Sequence, residues 1–194
     1  VHTGRLLLSQ RDPLQCPDPV ALRSGLAAAG FLGAPLPWIA GGYAVGERFL
    51  ALVVFAGCSV QLALEPSVQD DAGFCHIRLV GPYAAPRFLS GRNTRPPRCS
   101  SCRKPLRDWL ALFAGGGGRE IGCPACGVSA APWGWDWRHQ AGWGRFFVQV
   151  EEVFPGEATP APVLMELLAG SSRALDSANA PVAAASKAEI SSGT

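Results

Sequence analysis

The amino-acid sequence predicts an α+β fold, mainly antiparallel sheet, with one helix near the N-terminus, one near the C-terminus and an inserted module built on four cysteines. Three observations carry this expectation. Apolar or alternating stretches at residues 6–8, 48–55, 60–64, 74–80 and 146–154 have the length and period of strands and are separated by Gly, Pro and Asp. Asp18-Pro19 opens a helical pattern that stops at Gly30, and Pro160 or Pro162 opens a second. Cys99-Ser-Ser-Cys102 and Cys123-Pro-Ala-Cys126 are two Cys-x-x-Cys pairs with twenty residues between them.

Taken in order, the strand at 6–8 leads through Arg11-Asp-Pro into a helix at 18–29, where aspartate caps, proline fits the first turn and Leu22 and Leu26 share a face. Residues 31–45, with Gly33, Pro35, Pro37, Gly41 and Gly42, read as a loop that packs Trp38 and Tyr43 on the core. Residues 48–55 and 60–64 read as neighbouring antiparallel strands about Gly57, and 74–80 as a third strand beyond Asp70-Asp71. The proline- and arginine-rich residues 82–97 read as the connection out to the cysteine module. The strand at 146–154 returns to the sheet, so the core is assigned to 1–95 and 131–169 and the module to 96–130. The last helix places Leu164, Leu167 and Leu168 on one face. Residues 170–194 are rich in Ser, Ala and Gly, bury too little apolar surface to offset chain entropy and read as a disordered tail.

Composition narrows the function classes. With 48% hydrophobic and 16% charged residues in 194, the chain fills a core, and a net charge of +2 is too small to diagnose a nucleic-acid binder. No apolar run reaches the eighteen residues of a membrane span, so no membrane association is expected. The first ten residues are too short and too polar for a secretory signal, which makes the cytoplasm the expected location.

The cysteine spacing has a chemical reason. Two residues between cysteines let one turn aim both thiolates at a common point, and two such turns close a tetrahedral four-thiolate site. Pro124 fixes φ in the second turn, and Gly127 accepts the positive φ that closes it. Between the pairs, Trp109, Leu110, Leu112 and Phe113, four glycines at 115–118 and Arg119-Glu-Ile121 read as strand, flexible tip and returning strand. Over about residues 96–130 the chain resembles the zinc-ribbon, or rubredoxin-like, group of small metal modules. That resemblance implies one structural zinc held by Cys99, Cys102, Cys123 and Cys126. Members of the group serve nucleic-acid machinery, enzymes and protein docking alike, so it does not choose a function. Iron in a rubredoxin-like cage, a redox-active pair and disulfides are the alternatives; two pairs at this separation, without an export signal, favour a metal.

Charge placement suggests a partner surface. Eight of the seventeen Lys and Arg residues fall between 87 and 119, against one acidic residue, Asp108. Arg92, Arg95, Arg98, Arg103, Lys104, Arg107 and Arg119, with Trp109 among them and tryptophans at 133–143 close by, are candidate contacts to a protein or nucleic acid. Guanidinium groups contact phosphates and aromatic rings stack on unpaired bases, as in RNA or single-stranded DNA binding. The plainer reading is that a small module needs a polar exterior and that the tryptophans seal its joint with the core. The expected function is therefore a zinc-binding, non-catalytic module that docks on a macromolecule through the ribbon; the alternative is an enzyme with a structural zinc and an active site between core and ribbon.

The catalytic candidates are few. Cys75 and His76 are consecutive on a strand and point to opposite faces, and for the same reason at most one of Glu151 and Glu152 faces a given pocket. Cys58 and Cys75 read as small buried apolar groups. The spacing of Cys16, Cys58, Cys75 and His76 supports no second metal site. His139 near Asp136 reads as a partner for a backbone carbonyl, and no GxSxG, P-loop, dinucleotide-binding or HExxH pattern is present.

Overall fold

The computed structural model describes residues 4–56, 62–68, 70–90, 94–113, 118–154 and 158–170. Cys58, Arg92, most of the glycine tip at 115–118 and the tail from 171 fall outside these residues, whereas the expected pairing of 48–55 with 60–64 is not formed: residues 62–64 are described and make no strand, and Val53–Phe55 pairs with Ala158–Pro160 instead. Strand β1, Gly4–Ser9, alternates as expected: Leu6 and Leu8 turn to one face and Leu7 to the other. Helix α1, Pro19–Ala28, begins where the sequence placed it, with the Asp18 carboxylate accepting from the Val20 and Ala21 N–H groups at 2.9 and 3.3 Å. It ends before Gly30, whose φ of +73° suits a residue without a Cβ.

Residues 31–45 are a hairpin and not the expected loop: β2, Leu32–Leu36, pairs antiparallel with β3, Gly42–Val45. Pro35 is tolerated because β2 lies at the sheet edge, where a missing N–H costs no ladder bond. Tyr43 packs against the core, whereas Trp38 is exposed at the hairpin tip and donates from Nε1 to the Asp71 carbonyl at 2.9 Å. The apolar run at 48–55 divides into one turn of helix, α2, Phe49–Leu52, and a short strand, β4, Val53–Phe55. Phe49 and Leu52 are buried and Leu50 is exposed, a spacing that a helical turn satisfies and a strand does not. Strand β5, His76–Val80, follows.

The supposed connection at 82–97 also contains a strand, β6, Arg87–Ser90. Beyond the first cysteine pair comes a short helix, α3, Trp109–Phe113, in place of the expected strand: Trp109 and Phe113, four apart, are both buried. The strand β7, Ile121–Gly122, pairs with β8, Ser129–Ala130, around the second cysteine pair and not with the segment before the tip. A 3₁₀ turn at Pro132–Gly134 leads to β9, Ala141–Gly144, which pairs with β6. Strand β10, Phe147–Val153, β11, Ala158–Pro160, and α4, Pro162–Gly170, complete the chain, with β11 pairing with β4.

The main sheet has five strands in the order β1-β10-β5-β3-β2, antiparallel throughout, so the fold is α+β as expected, with the two short helices added to the terminal ones. One face packs Leu6, Leu8, Ile77, Val148 and Val150 against Leu22 and Leu26 of α1, Phe49 and Leu52 of α2, and Leu164 and Leu168 of α4. Burying a side chain of this size contributes about 1.5–3 kcal/mol, which makes this layer the main source of stability. On the other face Leu7 and Phe147 meet Val80, Tyr83 and Leu89, where the chain leaves the sheet after β5 before rejoining it at β10. Among the described residues no helix is long and apolar enough to cross a membrane.

Candidate metal centre and the surface around it

Two matching backbone loops present the four cysteines. In the first, Cys99 N–H donates to the Lys104 carbonyl at 2.9 Å and Arg103 N–H to the Cys99 carbonyl at 3.0 Å. In the second, Cys123 N–H donates to the Val128 carbonyl at 2.9 Å and Gly127 N–H to the Cys123 carbonyl at 2.8 Å. Each loop therefore closes with its fifth residue in the left-handed region, Arg103 at φ 62° and Gly127 at φ 76°. The second was expected from its glycine, but nothing in the sequence marks Arg103.

The four Sγ atoms lie within 4.8 Å of one another, with Cys99 to Cys126 and Cys102 to Cys123 both at 3.7 Å. An ion bound to four sulfurs at about 2.3 Å sets tetrahedron edges of about 3.8 Å, so these separations are those of a thiolate cage and far too long for disulfides of about 2.05 Å. The four cysteines could thus hold a metal ion. Without an ion the sulfurs differ in their electrostatics. Backbone N–H groups of Cys102 and Ser101 hold the Cys99 thiol down to about 7 against desolvation. Those of Ala125 and Cys126 hold Cys123 below the ordinary thiol range in the same way. At Cys126 the Val128 N–H pulls downward too, but desolvation and the sulfurs of Cys102, Cys123 and Cys99 outweigh it and push the thiol up to about 11. A cation among the sulfurs would let all four ionise together, and N–H groups already aimed at the sulfurs are the usual outer support of such a cage.

The cage is braced by an aromatic cluster. Phe88 of β6 lies 4.8 Å from Trp137, 5.0 Å from Trp143, 6.0 Å from Trp109 and 6.5 Å from Phe113, centroid to centroid. Cys99 and Cys123 are buried in the same cluster. Arg98 exchanges two backbone hydrogen bonds of 2.9 Å with Asp136, and the Arg103 guanidinium pairs with the Asp136 carboxylate at 3.1 Å. The first loop is thereby fastened to the tryptophan segment.

The partner-contact candidates divide by exposure. Arg95, Arg98, Arg103, Lys104, Arg107 and Arg119 are exposed, while Trp109 is 6% exposed and packs edge-on to Trp137 at 5.5 Å. Lys104, Arg107 and Arg119 edge a groove of about 1090 Å³ between α3 and β7, whose lining includes the apolar Leu106, Phe113 and Ile121. Sequence reasoning missed this groove because it needs α3 to be a helix.

The catalytic candidates do not converge with the cage. Cys75 is buried in the helix-covered core, His76 faces the other way, Cys16 packs half-buried against the core and His139 is exposed on a turn. A cavity of about 140 Å³ between the Ser9–Pro13 segment and the tryptophans has Gln10 and Arg11 in its lining but no carboxylate, histidine or cysteine. Compared with known proteins, the chain matches no protein-family model, no curated protein and no solved structure.

Proposed function

We propose that the chain is a zinc-binding, non-catalytic module protein that docks on an acidic segment of a partner protein through the groove beside its ribbon-like metal site. An all-sulfur, four-ligand set suits zinc, and a set with all four positions taken by protein leaves none open for substrate, which makes the ion structural. The observation that carries the docking reading is the groove itself: an apolar floor at Leu106, Phe113 and Ile121 beneath Lys104, Arg107 and Arg119. Leu112, 49% exposed, adds apolar surface at its edge. Asp108 and Glu120 offset part of that charge and leave the lining net positive. An apolar floor with a cationic rim complements a peptide that alternates acidic and apolar residues. Unpaired bases would need open aromatic faces, and four of the five tryptophans here are buried.

A fluorescent peptide alternating Glu or Asp with Leu or Phe should bind in the micromolar range and weaken several-fold in Arg107→Ala and Arg119→Ala variants. A labelled oligouridine that binds in its place, with an affinity falling steeply in salt, would transfer the partner to nucleic acid. Binding of neither probe, or peptide binding indifferent to both substitutions, contradicts the reading.

A further inference from the structure

The sheet face turned away from the helices carries a second group of polar residues, distant in role from the cysteine cage. Register places Arg5 opposite Glu151 and Glu151 opposite His76, so three side chains from β1, β10 and β5 form one cross-strand row. With Arg78 and Glu152 they line a cavity of about 250 Å³ that Ile39 helps to close. Glu151 and Glu152 both reach it, against the alternation expected of a strand. The reason is a bulge: pairing jumps from Arg5–Glu151 to Gly4–Val153, leaving Glu152 unmatched with φ at 56°. Bulges of this kind redirect a side chain that regular pleating would send to the other face.

The row is under-satisfied. Arg5 Nε stands 3.5 Å and Arg78 Nη1 3.7 Å from the Glu151 carboxylate, well beyond the roughly 2.7–2.9 Å of a tight charge-assisted hydrogen bond. Glu151 Oε1 is buried and makes no hydrogen bond. His76 is 4% exposed, and its Nδ1 lies 2.8 Å from the Phe74 carbonyl. A carbonyl only accepts, so Nδ1 carries a hydrogen and Nε2 is the ring's second polar atom. The cavity therefore sets the unfilled Glu151 Oε1 and the His76 ring beside two guanidinium groups that keep further N–H edges.

We infer that this cavity binds a small zwitterion of the amino-acid class, its ammonium group against Glu151 and His76 and its carboxylate against Arg78 and Arg5. The charges match: two cations and two carboxylates line the space, so a bipolar guest fits where a simple anion or cation leaves one set opposed. The size matches as well, because about 250 Å³ is below the roughly 300–1,000 Å³ of pockets that take drug-sized ligands. This inference is independent of the docking proposal.

The test is a titration of the full chain, followed by NMR on the histidine ring signals, with glycine, L-alanine, methylamine and acetate as probes. Glycine or alanine should shift the His76 signals saturably and bind at least tenfold more tightly than methylamine or acetate. Glu151→Gln and Arg78→Gln should each weaken alanine binding at least tenfold, and a thermal melt of each variant checks that it folds. The wild-type comparison decides the matter even if a variant does not fold. Absence of a saturable shift by any probe up to about 20 mM, where a millimolar Kd is saturated, overturns the inference. So does acetate or methylamine binding as tightly as alanine, which would reduce the cavity to a site for a single ion.

Discussion

Arg103 and Gly127 occupy the same place in their two loops, and only one of them is suited to it. No atom lies within 4 Å of where a Cβ on Gly127 would sit, so Gly127→Ala should cost only the conformational penalty of φ +76°, about 1–2 kcal/mol, read as a lower denaturation midpoint. Arg103 already carries that penalty, offset in part by an exposed ion pair with Asp136 worth about 0–1 kcal/mol. Arg103→Gly should accordingly leave the midpoint unchanged or slightly raised, and a Gly127→Ala protein as stable as the wild type would refute this account of the loops. Cys75 permits a second prediction at this scale. Burial, helped by the nearby Glu152 carboxylate, pushes its thiol up to about 12. Because the folded value is raised, the stability gained from the neutral thiol is complete below the unfolded value of about 8.5 and is lost as pH climbs through 12. At pH 8 Cys75 should resist alkylation in the native protein and react only on unfolding, as peptide mass spectrometry would show. The cysteines, Asp18 and Gly127 were legible in the sequence because each has one dominant physical role. Arg103 was not, because arginine has no preference for positive φ.

At the scale of elements, two of the departures from expectation originate in short apolar runs whose period is ambiguous. Residues 48–55 and 109–113 contain enough Leu, Val and Phe for strands, yet Phe49 with Leu52 and Trp109 with Phe113 are spaced to bury one side of a helical turn. Tertiary contacts decide between the two, and these contacts come from far along the chain. Phe113 meets Phe88, Trp137 and Trp143, none of which is a sequence neighbour. Phe113→Ala should therefore destabilise the aromatic unit by about 3–5 kcal/mol, measured by denaturant unfolding followed through tryptophan fluorescence. A loss under 1 kcal/mol would mean that α3 is dispensable to the cage. The long strands β5 and β10, by contrast, were readable because their alternation is sustained, although the bulge that turns Glu152 toward the cavity breaks it near the end of β10.

Among the described residues the apolar side chains form two main clusters, one between sheet and helices and one holding Cys99, Cys102 and Cys123 with five of the six tryptophans. A third, small one gathers Leu7 and Phe147 with Val80, Tyr83 and Leu89. In sites of four thiolates, ion binding and folding are one free energy, so a metal in the cage would hold the two cysteine loops together. Chelation should therefore red-shift the tryptophan emission and open the cysteine unit to protease, while the circular dichroism of the five-stranded sheet persists. Cys102→Ser or Cys123→Ser should behave like the chelated protein. Acidification should do the same, because ligand thiols must lose their protons to bind and regain them as pH falls.

The most direct test is metal analysis of protein purified without added metal, combined with thiol titration before and after chelation. One zinc per chain is expected, with four thiols that become reactive only when the ion is removed. Protein without metal, or with Cys99, Cys102, Cys123 and Cys126 freely reactive from the start, would contradict it.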